Sequence, residues 1–125
     1  MRDSIHVDFK QLEYTLSVVG KCTDDYVYIL DFKKNYYSIS ETAVDAFRIS
    51  ESSFYNATEV LKDVMYPEDY PKVVADLTAI QKREKDTHNM EYRWLDKYGD
   101  PVWISCRGHV ILDENGEALY LVGRI

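Results

Sequence analysis

Cysteine is scarce in this chain, with Cys22 and Cys106 the two examples among 125 residues. That is too few for a disulfide framework, and the wide separation matches no metal-ligand spacing. Free thiols suit a reducing, cytoplasmic setting. Proline and glycine are also sparse, with three and five residues; a linker or low-complexity chain would need many more. No apolar run approaches the length that spans a bilayer, and no secretory apolar segment opens the chain. A cytoplasmic domain without direct membrane contact is expected, although its parent chain could be anchored.

Positive charge is the minority sign. Fifteen Lys and Arg face twenty-two Asp and Glu, for a formal net charge of -7. Nucleic-acid surfaces need clustered Lys and Arg. The nearest cluster, Lys82-Arg83-Glu84-Lys85, is interrupted by an acid and reads as a solvated helix end. No nucleic-acid partner is expected. G-x-S-x-G, P-loop and H-E-x-x-H patterns are all absent. The three histidines, His6, His88 and His109, are scattered. His88 and Glu91, though near in sequence, fall on opposite faces of a strand. Neither an enzyme nor a metal site is expected.

Apolar residues make up 46% of the chain, with eleven tyrosines among them. Composition and length are those of one ordinary globular domain. Phe9, Leu12, Leu16 and Val19 recur at helical spacing and Gly20 follows, which predicts an amphipathic helix over 8–19. "YVYILDF" (26–32) and "YYSI" (36–39) read as a strand pair across Lys33-Lys34-Asn35. Ser38 to Glu41 has capping-box spacing, predicting a short helix over 41–47, and Asn56 to Glu59 offers a second cap. Pro67 and Pro71 bracket the start of a helix over 68–83, with Val73, Val74, Leu77 and Ile80 as its buried stripe. Three long strands complete the chain, joined by turns at Gly99 and at Asn115-Gly116. Helices grouped ahead of a run of hairpins indicate an α+β fold.

Two stretches, "YPEDYPKV" and "MEYRWLDKYGDPVWISCRGHVILDENGEALYLVGRI", resemble the PAS domain family, most closely its fold-3 subgroup from bacterial signalling proteins. The resemblance is carried by Pro67-Glu68-Asp69, by Glu91-Tyr92-Arg93 with Gly99 and Trp103, and by Asp113, Gly116, Val122 and Gly123. It covers roughly residues 24–125 and leaves 1–23 as a flanking helix and link. It implies a five-stranded antiparallel sheet in the order 2-1-5-4-3 with helices on one face. It also implies a sensory domain that regulates an attached output domain, either for cyclic-di-GMP turnover or a histidine kinase. The chain stops before the signalling helix that usually follows in relatives, so an excised domain is expected. A ligand-free dimerisation module is the alternative.

Strand alternation sorts the C-terminal residues into two faces. Met90, Tyr92, Trp94, Ile104, Cys106, Gly108, Leu121 and Gly123 share one, joined by Tyr28 and Leu30 from the first strand. In the family this face, with Leu77 of the helical roof, would line the ligand pocket for an unknown small molecule. Plain core packing is the competing explanation. The small residues leave volume that Tyr28, Tyr92 and Trp94 would refill. The other face carries Glu91, Arg93, Trp103, Ser105, Arg107, Tyr120 and Val122. Its apolar members need a cover. The Phe9-Leu12-Leu16-Val19 stripe is the natural one, from the same chain or from a second copy in a homodimer.

No cofactor is expected. Haem-binding relatives use a histidine on the long helix, and residues 68–83 contain none. Photoactive flavin domains of the family need a cysteine in an Asn-Cys-Arg-Phe-like helix motif. Cys22 lies in a link and Cys106 on a strand.

Overall fold

A computed structural model describes residues 8–125; His6 lies outside the described residues. Helix α1 (Phe9–Gly20) starts where the periodicity places it. Asp8 caps it, its carboxylate accepting the Lys10 N–H at 3.0 Å. Strands β1 (Val27–Asp31) and β2 (Tyr36–Ile39) form the expected hairpin. Its turn is held by Asp31, whose Oδ1 accepts the backbone N–H groups of Lys33 and Lys34, each at 3.0 Å.

The middle of the chain departs from expectation. Ser38 does not cap a helix: it lies within β2, its hydroxyl 3.0 Å from that of Ser53. The partner belongs to β3 (Ser53–Tyr55), a three-residue strand that extends the sheet beyond β2. The short helix, α2 (Ala43–Ala46), starts after Thr42 instead. Nor does the Asn56 side chain cap α3 (Ala57–Val64); its backbone is left-handed at φ 56°. The cap comes across space from Asn35, whose side-chain and backbone oxygens accept the N–H groups of Thr58 (3.2 Å) and Ala57 (3.0 Å). The capping spacing in sequence was real, but tertiary partners outcompeted it.

Helix α4 (Tyr70–Gln81) has Pro71 in its first turn, where a missing N–H breaks no bond. Then come β4 (Thr87–Leu95), β5 (Pro101–Leu112) and β6 (Ala118–Arg124). Gly99 (φ 89°) and Gly116 (φ 78°) take the left-handed positions of the two connecting turns.

All pairings are antiparallel, in the order β3-β2-β1-β6-β5-β4. The five expected strands keep their expected order and a sixth is added at one edge. Tyr92, Ile104 and Leu121 are all buried, as their alternation requires. The helical layer is pinned to the sheet through Asp69, just before α4. Its carboxylate accepts Nε and Nη2 of Arg93 at 2.9 and 2.8 Å, and the Arg93 backbone N–H at 2.9 Å. These charged hydrogen bonds hold the Asp69 carboxyl below the usual range. The alternation puts Arg93 on the outer face, where Arg107 and Glu91 do approach across strands at 3.7 Å. Arg93 itself pairs with the helical layer, joining two of the motifs that carried the family resemblance.

Candidate functional site

One row of the sheet organises the inner face. Tyr28 of β1 is in register with Gly123, Gly123 with Gly108, and Gly108 with His88 of β4. The two glycines form a trough between an aromatic ring and an imidazole. The Tyr28 hydroxyl occupies it: a Cβ on Gly108 would lie 2.4 Å from that oxygen, and one on Gly123 2.8 Å. The Gly123 Cβ would also meet the Arg107 carbonyl oxygen at 2.2 Å. Only glycine permits this approach of ring to backbone.

From the trough a chain of polar groups runs outward. Tyr28 Oη is 3.1 Å from Cys106 Sγ. Tyr92 Oη is 3.1 Å from His88 Nε2, and His88 Nδ1 is 2.7 Å from Asp76 Oδ2. Lys85 Nζ donates to the other Asp76 oxygen at 2.6 Å, at the molecular surface. Burial pulls the His88 pKa down and outweighs the attraction of Asp76, so the imidazole is neutral near pH 7. Burial alone would raise the Asp76 pKa, but hydrogen bonds from Lys85 and His88 hold it below the usual range. A carboxylate only accepts, so Nδ1 carries the His88 proton and Nε2 accepts from Tyr92. Burial drives the phenols of Tyr28, Tyr37 and Tyr92 well above the ordinary tyrosine value. It also raises the Cys106 thiol. The arrangement orders protons; it supplies no thiolate or phenolate nucleophile.

His88 and Asp76 were missed as interior groups, yet both were in phase. His88 precedes Met90, Tyr92 and Trp94 at a spacing of two, and Asp76 falls three after Val73 and four before Ile80.

Aromatic rings fill the rest of the hollow. Tyr28 stacks on Tyr37 at 5.6 Å, Tyr37 on Phe54 at 5.4 Å, and Phe47 stands edge-on to Trp94 at 5.0 Å. What remains is a cavity of about 20 Å³. A water needs ~10–15 Å³ and a drug-sized ligand about 300 Å³ or more. Of the residues expected at a pocket, Tyr28, Leu30, Leu77, Tyr92, Trp94, Cys106 and Leu121 line the cavity. Ile104 is buried beside it, Met90 packs half-buried against the core, and Gly123 lies beneath the Tyr28 hydroxyl. Tyr37, Leu61, Met65 and His88 also line it, without having been expected.

The outer face is divided. Phe9 of α1 meets Tyr36 at 5.6 Å and Tyr120 at 5.3 Å, and Tyr36 Oη donates to Glu13 at 2.8 Å. Leu12, Leu16 and Val122 are half-buried, while Val19 is exposed. Tyr120, one of the aromatics that needed a cover, is 7% exposed. Trp103, grouped with it from the alternation, is 66% exposed. The Arg93 guanidinium lies between the rings of Tyr66 (4.0 Å) and Trp103 (4.8 Å), covering part of the indole. Among the described residues no group of three or more potential ligands could hold a metal ion, and no helix is long and apolar enough to cross a membrane.

Comparison with solved structures finds the same architecture. A sensory box histidine kinase/response regulator from Burkholderia thailandensis is 21% identical, with 86% of this chain and 79% of that one covered and a TM-score of 0.64. The N-terminal domain of a diguanylate cyclase with PAS/PAC sensor from Marinobacter aquaeolei is 23% identical, with 81% and 92% covered and a TM-score of 0.66. A PAS domain from Colwellia psychrerythraea is 16% identical, with 93% and 92% covered and a TM-score of 0.65. At these identities the likeness is one of fold. No curated protein matches the chain. The family model described as the PAS fold matches residues 37–125, most of the chain, and with the sheet order and the Asp69–Arg93 clasp already in place this chain belongs to the PAS family.

Proposed function

We propose that the domain is a signalling module that regulates an attached output domain through contacts at its sheet, and that it holds no organic ligand in its interior. The output would be a histidine kinase or an enzyme of cyclic-di-GMP turnover. The solved structures from a histidine kinase and a diguanylate cyclase support that context. The observation that carries the choice between routes is the interior. Tyr28, Tyr92 and Trp94 occupy the hollow and leave about 20 Å³. A small-molecule route would require the roof helices to part. A haem or a flavin would likewise require the roof helices to part.

The outer face offers the complementary feature. Trp103 is exposed on β5, and α1 itself exposes Tyr14 and Val18. A homodimer that buries these residues in a cytoplasmic parent protein would let strand β6 and α1 pass a change in packing to the neighbouring domain. A signal acts on such an equilibrium only through its difference in affinity for the two states. Native mass spectrometry of the purified domain tests both parts. The expected spectrum is a dimer at the bare chain mass. A retained organic molecule would restore the ligand route, and a strict monomer at high concentration would remove the dimer.

A further inference from the structure

One carboxylate serves two basic side chains where the helical roof meets the sheet. Asp76 of α4 accepts Lys85 Nζ on one oxygen at 2.6 Å and His88 Nδ1 on the other at 2.7 Å. The three side chains differ in access to water: His88 is 2% exposed, Asp76 15% and Lys85 40%. Lys85 stands in the link between α4 and β4, and its bond to Asp76 draws that link back onto the helix. A separate pair, Arg83 with Asp86 at 2.6 Å, holds the link without help from Lys85.

The groups facing the imidazole come from several elements. Helix α4 presents Asp76, the link Lys85, and β4 the Tyr92 hydroxyl, 3.1 Å from Nε2. On β5, Gly108 lies directly across, and Cys106 is in register with Met90, between His88 and Tyr92. Tyr28 of β1 stands behind Cys106, with Tyr37 of β2 stacked on it. Among the described residues, the charged groups acting on the imidazole are Asp76 and Lys85. While His88 is neutral, Asp76 and Lys85 balance. A proton on Nε2 would leave two positive charges on one carboxylate, in a site that water does not reach from the His88 side. Of the two cations only Lys85 has solvent beside it, and an exposed ammonium loses little by turning to water.

We infer that Asp76, Lys85 and His88 form a proton-operated latch between the roof and β4: with His88 neutral, Lys85 fastens the link to Asp76, and when Nε2 takes up a proton from solvent, His88 becomes the counter-ion of Asp76 and Lys85 is freed. The Tyr92 hydroxyl would then accept from Nε2, and its own hydrogen would turn toward Cys106. Burial opposes charging of His88, which sets the latch to open below the ordinary histidine range. A change in pH is an input that needs no room for an organic ligand, and the latch rests on neither the dimer nor the output domain.

Imidazole and backbone amide NMR of the whole chain through a pH titration tests the latch. His6→Gln with His109→Gln leaves one imidazole, that of His88. The expected result is a one-proton step at Nε2 below about pH 6.5 in the folded domain, with the amides of residues 82–86 shifting at the same midpoint. Lys85→Gln removes the competing charge at a partly exposed position. It should move the His88 midpoint to higher pH and take away most of the link shift, while Lys85→Arg, which keeps the charge, should hold the original midpoint. A midpoint that Lys85→Gln leaves unchanged or lowers overturns the latch, because a merely structural Lys85 would alter stability alone. Link amides that ignore the His88 step overturn it too, as does an imidazole that stays neutral until the domain unfolds in acid.

Discussion

The two faces of the sheet treat their tryptophans in opposite ways. Trp94 is 1% exposed, in a hollow whose polar groups run in a line from Tyr28 to the surface at Lys85. Trp103, on the strand beside it, is 66% exposed and has a guanidinium over its ring. The inner face closed on itself, so its side chains specify one packing. The outer face is covered by α1 only where Phe9 reaches Tyr36 and Tyr120. The outer face is therefore not uniformly open: Tyr120 beneath α1 is buried and Trp103 is left to solvent.

The sharpest way to break this comparison is to truncate both tryptophans. Trp94→Ala should lose about 3–5 kcal/mol in urea unfolding, since it removes a large buried side chain and leaves a cavity. A loss under about 1 kcal/mol would take Trp94 out of the core. Next in size is the trough. Gly123→Ala should cost about 1–3 kcal/mol, the range for overpacking, because its Cβ would press on the Arg107 carbonyl. An unchanged denaturation midpoint would mean that the backbone of β5 does not close on Gly123.

The hydrogen-bonded chain of Tyr92, His88, Asp76 and Lys85 gives the inner face a pH dependence. The folded-state pKa of His88 is depressed below its unfolded value. Its contribution is full above about pH 6.5, the unfolded value. It is lost as pH falls from there through the folded value, because the unfolded chain binds the proton first. Asp76 and Asp69, also depressed, add a second loss below the ordinary carboxylate range. Urea titrations between pH 7 and 5 should show stability falling, and His88→Gln should flatten that segment. A profile identical in the variant would place the titration elsewhere. The smallest expected effect is on the outer face. Trp103→Ala should change stability by no more than about 0.5 kcal/mol while weakening self-association in sedimentation velocity. A large stability loss with unchanged association would make Trp103 a structural residue.

Much of this contrast was legible from alternation. A period of two put Tyr92, Ile104 and Leu121 on one side and Trp103 on the other, and all three inner residues are buried. The capping residues were harder. Ser38 and Asn56 had the right spacing, but Ser53 and Asn35 made the bonds that count, and those partners are distant in the chain. The strand at Ser53–Tyr55 is too short to show a period at all. The inner-face histidine was in phase with Met90, Tyr92 and Trp94, but it was weighed only as a metal or haem ligand.

By itself the sequence determined what depends on neighbours along the chain: the amphipathic helix behind Asp8, the glycine turns and the side of the sheet each residue faces. Local backbone sterics and side-chain period are enough to set these. Tertiary structure alone decided how full the hollow is, that Arg93 reaches Asp69 in the helical layer, and that α1 shields Tyr120 but not Trp103. Those outcomes depend on summed volumes and on distances between elements, which packing in three dimensions establishes and spacing along the chain does not.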